Sequence, residues 1–464
     1  MVTFAQNITQ YGVSSIPFLP GWIIVEVYQT LGLNEFYLRL PNVLVLLMSF
    51  LVFYYGAKRL FGLESTELTL LIVASSFLVP AMAKMATSDI WLMASHLSIA
   101  ICLIRCIKQN QKIWLFGFYG SLVLAMFIHL ISTFIFVLVL LSGLYFFHPK
   151  GRMMNKWLLM GPPLLILVGL FTDGLSQYGL TLFLGTHIQN VGLNWWQYLL
   201  VLFLGLLPWL GFVPAVLWDL VKKMRAREEL AIIGGCCILA GLLSKSLVPT
   251  WFLALFIGKH LMAFLSRKYP YGRSVLFFAL TNMVLTFFAA FLMMMSGYLQ
   301  FESLGFRSAV SVGATYWMFS LLGVIGLLGR NKAMTISGLG ASALFAFFLF
   351  WSNVYPIIEN SRGLSQQLVD RASLLKQDTQ NDQLVLQAGL FPELQNLKVY
   401  AREKSGFVIM EQSVDEIYTQ RQASISIVEK SSEQKWSDKF DLIELSGRPT
   451  LFGEEKTFLI MKRK

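Results

Sequence analysis

Residues 113–147, IWLFGFYGSLVLAMFIHLISTFIFVLVLLSGLYFF, form a long apolar run between Lys112 and Lys150 that is the most informative part of the chain for its fold. As one straight helix it would be about 50 Å long at 1.5 Å per residue, too long for a single crossing of hydrocarbon about 30 Å thick. Both flanking lysines favour the cytoplasmic side of a membrane. We therefore predict that the stretch crosses the membrane, breaks near His129–Ser132 and returns as a second short span.

The composition of the whole chain excludes a soluble protein. Its 464 residues are 56% hydrophobic and only 14% charged, with a mean hydropathy of +0.62, whereas soluble domains carry about 25% charged residues. The net charge of +11 is uneven, because residues 359–464 have 15 basic and 16 acidic residues and the rest of the chain is strongly basic. We therefore exclude soluble enzymes, DNA-binding proteins and disordered chains, and predict a membrane body followed by a water-soluble appendage.

The basic residues predict the topology. Apolar runs long enough to span are found near 40–57, 67–83, 90–107, 113–129, 131–147, 157–174, 195–220, 229–243, 247–265, 274–298, 308–328 and 333–356. Seventeen basic residues fall in alternate loops between these runs, against four near the membrane on the other side. The positive-inside rule makes the rich loops cytoplasmic. The fold class predicted is an all-α polytopic membrane protein of about twelve spans with a small C-terminal α/β or α+β extracytoplasmic domain.

Three parts of the chain follow from this pattern. Residues 1–38 are predicted to be an extracytoplasmic segment with an interfacial helix near 16–33, where two prolines and Glu26 disfavour a span. Residues 39–358 form the multi-span domain. Residues 359–464 form the soluble domain, with a helix at 361–377 and short β-type runs after residue 384.

Ionisable residues at the outer membrane edge are the first candidates for function, because charge there is costly. Asp89 lies in the outer turn Thr87-Ser88-Asp89, and its alternative role is a helix cap. Lys245 lies in a tight outer hairpin, where a lysine suits a phosphate but also suits a snorkelling interface position. Arg39 is likewise suited to bind a phosphate at the membrane edge, and its alternative role is a local ion pair with Glu35.

Two further residues complete the predicted substrate-binding set. Lys84 lies five residues before Asp89, and His187 lies in the outer loop 175–194. The sequence contains no dinucleotide fingerprint, no Walker loop and no GxSxG nucleophile motif. Nucleotide-driven transport and serine-hydrolase chemistry therefore have no support.

A membrane body with outer cations and one outer acid suits a lipid-linked phosphate substrate. Transfer of a sugar from such a lipid leaves negative charge on the departing phosphate, which fixed cations or a divalent metal stabilise. A carboxylate orients and deprotonates the acceptor hydroxyl. Asp89, Lys245 and Arg39 supply this set if their hairpins converge. The metal itself is left open, because no ligand cluster is visible in the sequence.

Several motifs, taken in order, resemble one family. Glu35-Phe36-Tyr37-Leu38-Arg39-Leu40-Pro41 with Lys58-Arg59-Leu60-Phe61-Gly62, then Thr87-Ser88-Asp89, Pro208-Trp209 and Ser244-Lys245 with Pro249-Thr250-Trp251, are similar to stretches of polyprenyl-phosphate-sugar-dependent glycosyltransferases. These are the GT-C superfamily, which includes the lipid A aminoarabinose transferase and the protein O-mannosyltransferases. The resemblance covers residues 15–360. It implies sugar transfer to lipid A, another glycan or a protein on the outer face of a bacterial inner membrane.

The chain departs from the family at its start. The resemblance implies one more span and a first-loop acidic pair before the segment that begins at Ser14, and this sequence starts after the place where that pair is expected, through a mis-set start site or a truncation. An inactive paralogue is therefore one alternative, and a secondary transporter or lipid flippase is another, since twelve spans also suit a carrier. The sugar, the acceptor and the oligomeric state are not predicted from the sequence.

Overall fold

The computed structural model of the chain describes residues 35–84, 88–109, 112–149, 158–165, 194–266, 272–354, 364–379, 383–387, 407–419, 425–430, 440–447 and 456–463, and isolated positions at 20, 23, 26–27, 30–31, 397 and 401. These described residues fall into two compact units. One lies within residues 7–293 and 312–347, and the other within residues 294–311 and 348–464.

The first unit is helical, and two of its helices continue into the second. They are α1 (Glu35–Phe61), α2 (Leu63–Ala74), α3 (Leu78–Lys84), α4 (Asp89–Gln109), α5 (Lys112–Phe147), α6 (Trp195–Leu204), α7 (Val213–Arg225), α8 (Glu229–Leu243), α9 (Val248–Leu265), α10 (Gly272–Leu328) and α11 (Lys332–Leu349). Residues 158–165 are also helical.

Six segments in the described part of the chain are long and apolar enough to cross a membrane. They are Arg39–Phe61, Asp89–Gln109, Lys112–Phe147, Val248–Leu265, Arg307–Leu328 and Lys332–Val354. Three shorter apolar helices accompany them, at Trp195–Leu204, Glu229–Leu243 and Ala279–Met295. The predicted multi-pass helical body is confirmed, and the count of twelve spans stays a prediction.

Helix α5 folds back at the place the sequence predicts. His129 has extended backbone angles (φ −161°, ψ 95°) inside an otherwise helical segment. Thr133 Oγ1 donates to Ala125 O at 3.1 Å, although eight residues of straight helix would separate these positions by about 12 Å. The stretch 113–147 is therefore two helical arms joined by a sharp turn.

Helix α10 folds back in the same way. The rings of Phe287 and Trp317 lie 5.6 Å apart, whereas 30 residues of straight helix would separate them by about 45 Å. Residues on either side of the turn therefore pack as antiparallel arms, in agreement with the two predicted spans 274–298 and 308–328.

Two other predicted spans, 67–83 and 195–220, are interrupted rather than continuous helices. The first is interrupted at Ser75–Phe77, between α2 and α3, and the second between α6 and α7. The interruptions contain Ser75-Ser76 and Gly205 to Pro208, residue types that release backbone from a helix. Hydropathy alone did not reveal them because the surrounding residues are apolar.

The two interruptions pair with each other. Phe77 N–H donates to Leu207 O at 3.2 Å, and Leu78 N–H donates to Gly205 O at 2.9 Å. The approach requires glycine at position 205, because a Cβ there would lie 2.3 Å from Leu78 Cβ. Hydrocarbon offers no hydrogen bonds to backbone, so this mutual pairing is what allows non-helical chain at such a depth.

Ion pairs join loops that the charge pattern assigns to one side. Lys108 and His148 approach the Glu229 carboxylate at 3.7 Å and 3.3 Å, and Lys332 approaches Glu64 at 3.3 Å. Each pair links a predicted cytoplasmic loop to another predicted cytoplasmic loop. The alternate loops therefore meet at the same end of the bundle, as the prediction requires.

Arg105 differs from the other basic-cluster residues whose side chains the structure describes, because it is buried, with 1% exposure. Its Nε and Nη2 donate to Gly56 O and Tyr55 O, both at 3.0 Å, and its guanidinium lies 5.1 Å from the Trp114 ring centroid. It is therefore a packing element between α1 and α4 as well as a positive charge.

The second unit contains a five-stranded mixed sheet. Its elements are α12 (Leu364–Thr379), β1 (Gln383–Gln387), β2 (Val408–Gln412), α13 (Val414–Thr419), β3 (Ile425–Glu429), β4 (Phe440–Gly447) and β5 (Lys456–Arg463). The strand order is β2-β1-β3-β5-β4, with β1 parallel to β2 and β3, and β5 antiparallel to β3 and β4. Leu368, Val369 and Ala372 of α12 join the core on one face. The predicted helix and all five β-type runs are confirmed.

Some predictions are not tested by these residues. The interfacial helix at 16–33 lies mostly outside the described residues, as does most of the span at 157–174. The extracytoplasmic side of the soluble domain and the boundaries 1–38, 39–358 and 359–464 stay predictions.

Candidate functional site

Helices α1 and α4 are parallel neighbours with a constant register. Trp91 Nε1 donates to Asn42 Oδ1 at 2.7 Å near the start of both helices, and Arg105 Nε donates to Gly56 O at 3.0 Å near their ends. Each contact joins residues 49 positions apart. The two helices therefore stay level over about 20 Å of length.

This register places Arg39 and Asp89 at nearly the same level along the two helices, at one end of the bundle. Asp89 is two residues before Trp91, so it lies level with Leu40, the neighbour of Arg39 in α1. Asp89 is exposed and Arg39 is half-buried. Asp89, the first residue of α4, and Arg39, in the second turn of α1, therefore lie at nearly the same level in two adjacent helices.

The geometry of the first turn of α4 bears on the alternative role of Asp89. Leu92 N–H donates to Ser88 O at 3.1 Å, which is the first hydrogen bond of the helix. Ser88 therefore occupies the N-cap position, and Asp89 follows it as the first helical residue. A carboxylate at this position is stabilised by the helix dipole, but the capping position itself belongs to Ser88.

Lys245 lies in a tight turn between α8 and α9. Its N–H donates to Leu242 O at 3.1 Å, and Ser246 N–H donates to Gly241 O at 2.9 Å. This pair of bonds is the Schellman motif, in which glycine usually takes the left-handed position. Here Lys245 takes it, with φ 52°, so a lysine is placed where the backbone would prefer glycine.

Helix α6 holds this turn and the lysine side chain. Tyr198 is buried and its hydroxyl donates to Ser246 O at 2.7 Å. Three residues earlier, Trp195 lies under the ammonium of Lys245, with Nζ 5.2 Å from the ring centroid. The lysine is therefore oriented by an aromatic face, in the geometry of a cation–π contact.

The contacts of Trp251 show where the Lys245 turn lies relative to Asp89. Its Nε1 donates to Met93 Sδ at 3.2 Å, and Lys259 of the same helix lies 5.4 Å from the Phe61 ring at the far end of α1. Helix α9 therefore runs parallel to α1 and α4. Lys245 precedes Trp251 and Asp89 precedes Met93, so both lie beyond this contact toward the same end of the bundle.

The other predicted site residues are not tested by the structure. Lys84 is the last residue of α3, and its side chain lies outside the described part of the chain. His187 lies outside the described residues altogether. The described residues contain no cluster of three His, Cys, Asp or Glu side chains suited to a metal. On their own they do not form a divalent-metal site, and no chemical step is assigned to one.

The Pro208-Trp209 motif has a structural role that the sequence did not reveal. Trp209 is fully buried, and its Nε1 donates to Ser75 Oγ at 3.0 Å across the paired interruptions. Nearby, Gly211 N–H donates to Asn282 Oδ1 at 2.9 Å, and a Cβ on Gly211 would lie 2.4 Å from Asn282 Cα. The motif therefore connects the end of α2, the segment before α7, and α10 by hydrogen bonds and close packing.

Sequence reasoning missed Trp195, Tyr198, Asn42 and Trp91. The run Asn194-Trp195-Trp196-Gln197-Tyr198 has the aromatic composition of a membrane interface, and this was the available signal. Nothing in the sequence pairs it with Lys245, 50 residues later, because that contact depends on how α6 packs against the α8–α9 turn.

Comparisons with known proteins agree with the predicted resemblance to the GT-C superfamily. Residues 15–172, which include Arg39 and Asp89, match the family model described as dolichyl-phosphate-mannose-protein mannosyltransferase. No curated protein matches the chain.

Two solved structures have the same fold. The crystal structure of ArnT from Cupriavidus metallidurans bound to undecaprenyl phosphate aligns with a TM-score of 0.67 and 15% identity, over 96% of this chain and 87% of that chain. The structure of the same protein in the apo state aligns with a TM-score of 0.60 and 14% identity, over 95% and 86%. The resemblance stated from the motifs is confirmed, and at this identity the likeness concerns the fold.

Proposed function

We propose that this chain, which has the fold of ArnT, is a membrane glycosyltransferase that moves a sugar from a polyprenyl-phosphate donor to an envelope acceptor. Lipid A, another glycan and a protein are the acceptor classes, and the reaction takes place on the outer face of a bacterial inner membrane. The family match over the N-terminal third and the undecaprenyl phosphate bound by ArnT support the donor class.

The observation that carries the proposal is the common level of Arg39 and Asp89. The register of 49 between α1 and α4 makes Asp89 level with Leu40, the neighbour of Arg39, and Lys245 lies toward the same end of the bundle. One carboxylate and two cations at one membrane edge are the minimum set for a prenyl-phosphate leaving group. This edge is where the phosphate of a membrane lipid would lie.

Each residue has a distinct role in the proposed reaction. The bond between the anomeric carbon and the phosphate oxygen breaks, and the acceptor oxygen forms the new bond to that carbon. The acceptor hydroxyl gives its proton to Asp89, acting as general base. Arg39 and Lys245 stabilise the negative charge that grows on the departing polyprenyl phosphate.

A transfer assay on the purified protein in lipid nanodiscs tests this proposal. Labelled polyprenyl-phosphate sugars are offered with lipid A, glycan and peptide acceptors, and release of polyprenyl phosphate is measured. Asp219→Asn is the matched control for Asp89→Asn, because Asp219 pairs with Lys223 at 2.6 Å near the end of α7, away from the site. A folded protein that transfers no sugar from any donor would contradict the proposal.

A secondary transporter or flippase is the second possibility, supported by the interrupted helices. Broken helices within the membrane are typical of transporters, where they bind substrate or ions. Here the described backbone groups at the interruptions bond to each other. Uptake of labelled polyprenyl-phosphate sugar into proteoliposomes, without release of prenyl phosphate, would favour transport over transfer.

A further inference from the structure

The contact between Lys245 and Trp195 suggests how the phosphate-binding lysine is held. Lys245 has a flexible four-carbon side chain on a turn at the membrane edge, and its Nζ lies 5.2 Å from the centroid of the Trp195 ring. Trp195 is 46% exposed. A lysine free to move would have to lose side-chain freedom each time it bound a phosphate.

The position of Trp195 is itself fixed from two sides. Asn194 N–H donates to Gln197 Oε1 at 2.9 Å, which sets the start of α6 at Trp195. The Tyr198 hydroxyl donates to Ser246 O, the residue after Lys245. The ring and the lysine backbone therefore belong to one rigid assembly, in which the turn and the helix start are bonded to each other.

We infer that Trp195 is a positioning residue for the donor phosphate: its ring holds the Lys245 ammonium in the orientation that meets the phosphate of the polyprenyl-phosphate sugar. This inference rests on the proposed function, since it assigns a phosphate contact to Lys245. Trp195 acts through the lysine and does not itself touch the reacting atoms. The contribution is preorganisation, which appears as donor affinity.

The experiment compares Trp195→Leu, Trp195→Phe and Trp196→Leu in the transfer assay. Trp196 is the matched control because it is the next residue and is 80% exposed. Trp195→Leu should raise KM for the donor about twofold to fivefold, the range expected for a cation–π contact at a partly exposed site, with kcat unchanged and an unchanged midpoint of thermal unfolding. Trp195→Phe should recover most of the affinity because it keeps an aromatic face, and Trp196→Leu should have no effect.

A double-mutant comparison separates positioning from general structural damage. In a Lys245→Gly background, Trp195→Leu should cause no further rise in KM, since the side chain it orients is gone. An equal rise in both backgrounds would overturn the inference, as would an unchanged KM in Trp195→Leu alone. If Lys245→Gly lowers donor affinity while Trp195→Leu does not, the positioning role fails and the proposed function stands. If Lys245→Gly leaves donor affinity intact, the phosphate role of the lysine in the proposed function fails as well.

Discussion

Replacing Lys245 by glycine should lower activity sharply without destabilising the protein. Lys245 has φ 52° at the left-handed position of a Schellman turn. Relief of the left-handed strain contributes about 1–2 kcal/mol of stability. The greater unfolded-state freedom of glycine opposes this by about 0.5–1 kcal/mol, and loss of the contact with the Trp195 ring by about 0.5–1 kcal/mol. The free energy of unfolding should therefore change by no more than about 1 kcal/mol.

The effect on catalysis should be large by comparison. A hydrogen bond to a charged group contributes about 1.5–3 kcal/mol, so kcat/KM for the donor should fall by about tenfold to a hundredfold. Lys245→Ala should lose the same activity. It should also be less stable than the glycine variant by about 0.5–1 kcal/mol, because alanine keeps the strain.

Arg227→Gly is the matched control for this experiment. Arg227 has φ 57° in the same kind of turn after α7. Its N–H donates to Met224 O, and the N–H of Glu228 donates to Lys223 O. Its glycine variant should gain about 0.5–1 kcal/mol in stability and keep full activity. Stability is measured by denaturant titration in detergent, and activity by release of polyprenyl phosphate. Full activity in Lys245→Gly would refute the phosphate role, and unfolding of that variant would refute the account of the turn.

The remaining predictions test the base, the packing and the topology. Asp89→Asn should lower the rate of transfer by about 10²–10⁴-fold, the usual contribution of a general base, with no loss of folded protein on size-exclusion chromatography. Gly211→Ala should lower the midpoint of thermal unfolding because its Cβ meets the backbone of α10, whereas Gly120→Ala, with nothing within 4 Å, should leave it unchanged or raise it; equal midpoints would contradict the close packing. Arg105→Ala should cost about 3 kcal/mol or more, since the carbonyls of Gly56 and Tyr55 lose a charged donor, and a smaller loss in a denaturant titration would show that the contacts matter less. Ser132→Cys should react with a membrane-impermeant maleimide from the outer side in whole cells, and labelling only after permeabilisation would reverse the assigned orientation.

Local patterns of residues were enough to assign the class of the protein and much of its layout. Apolar runs and the uneven distribution of lysine and arginine are local properties, and they predict crossings and sides without knowledge of packing. The turn at His129 could be predicted because both flanks of an overlong apolar run are basic, and the five strands could be predicted because their residue types are strongly β-favouring. Arg39, Asp89 and Lys245 stood out because charges at a membrane edge are costly.

The neighbours of these residues in space depend on how the helices pack in the folded protein. The interruptions at Ser75–Phe77 and in the second broken span depend on backbone groups meeting across two helices, and hydropathy does not record such a partner. The depth shared by Arg39 and Asp89 follows from the packing of α1 against α4, and the ring beneath Lys245 follows from the packing of α6 against a turn. A sequence encodes the local preference of each segment for helix, strand or membrane directly. Proximity between residues that are distant in the sequence is set only when the helices pack against each other.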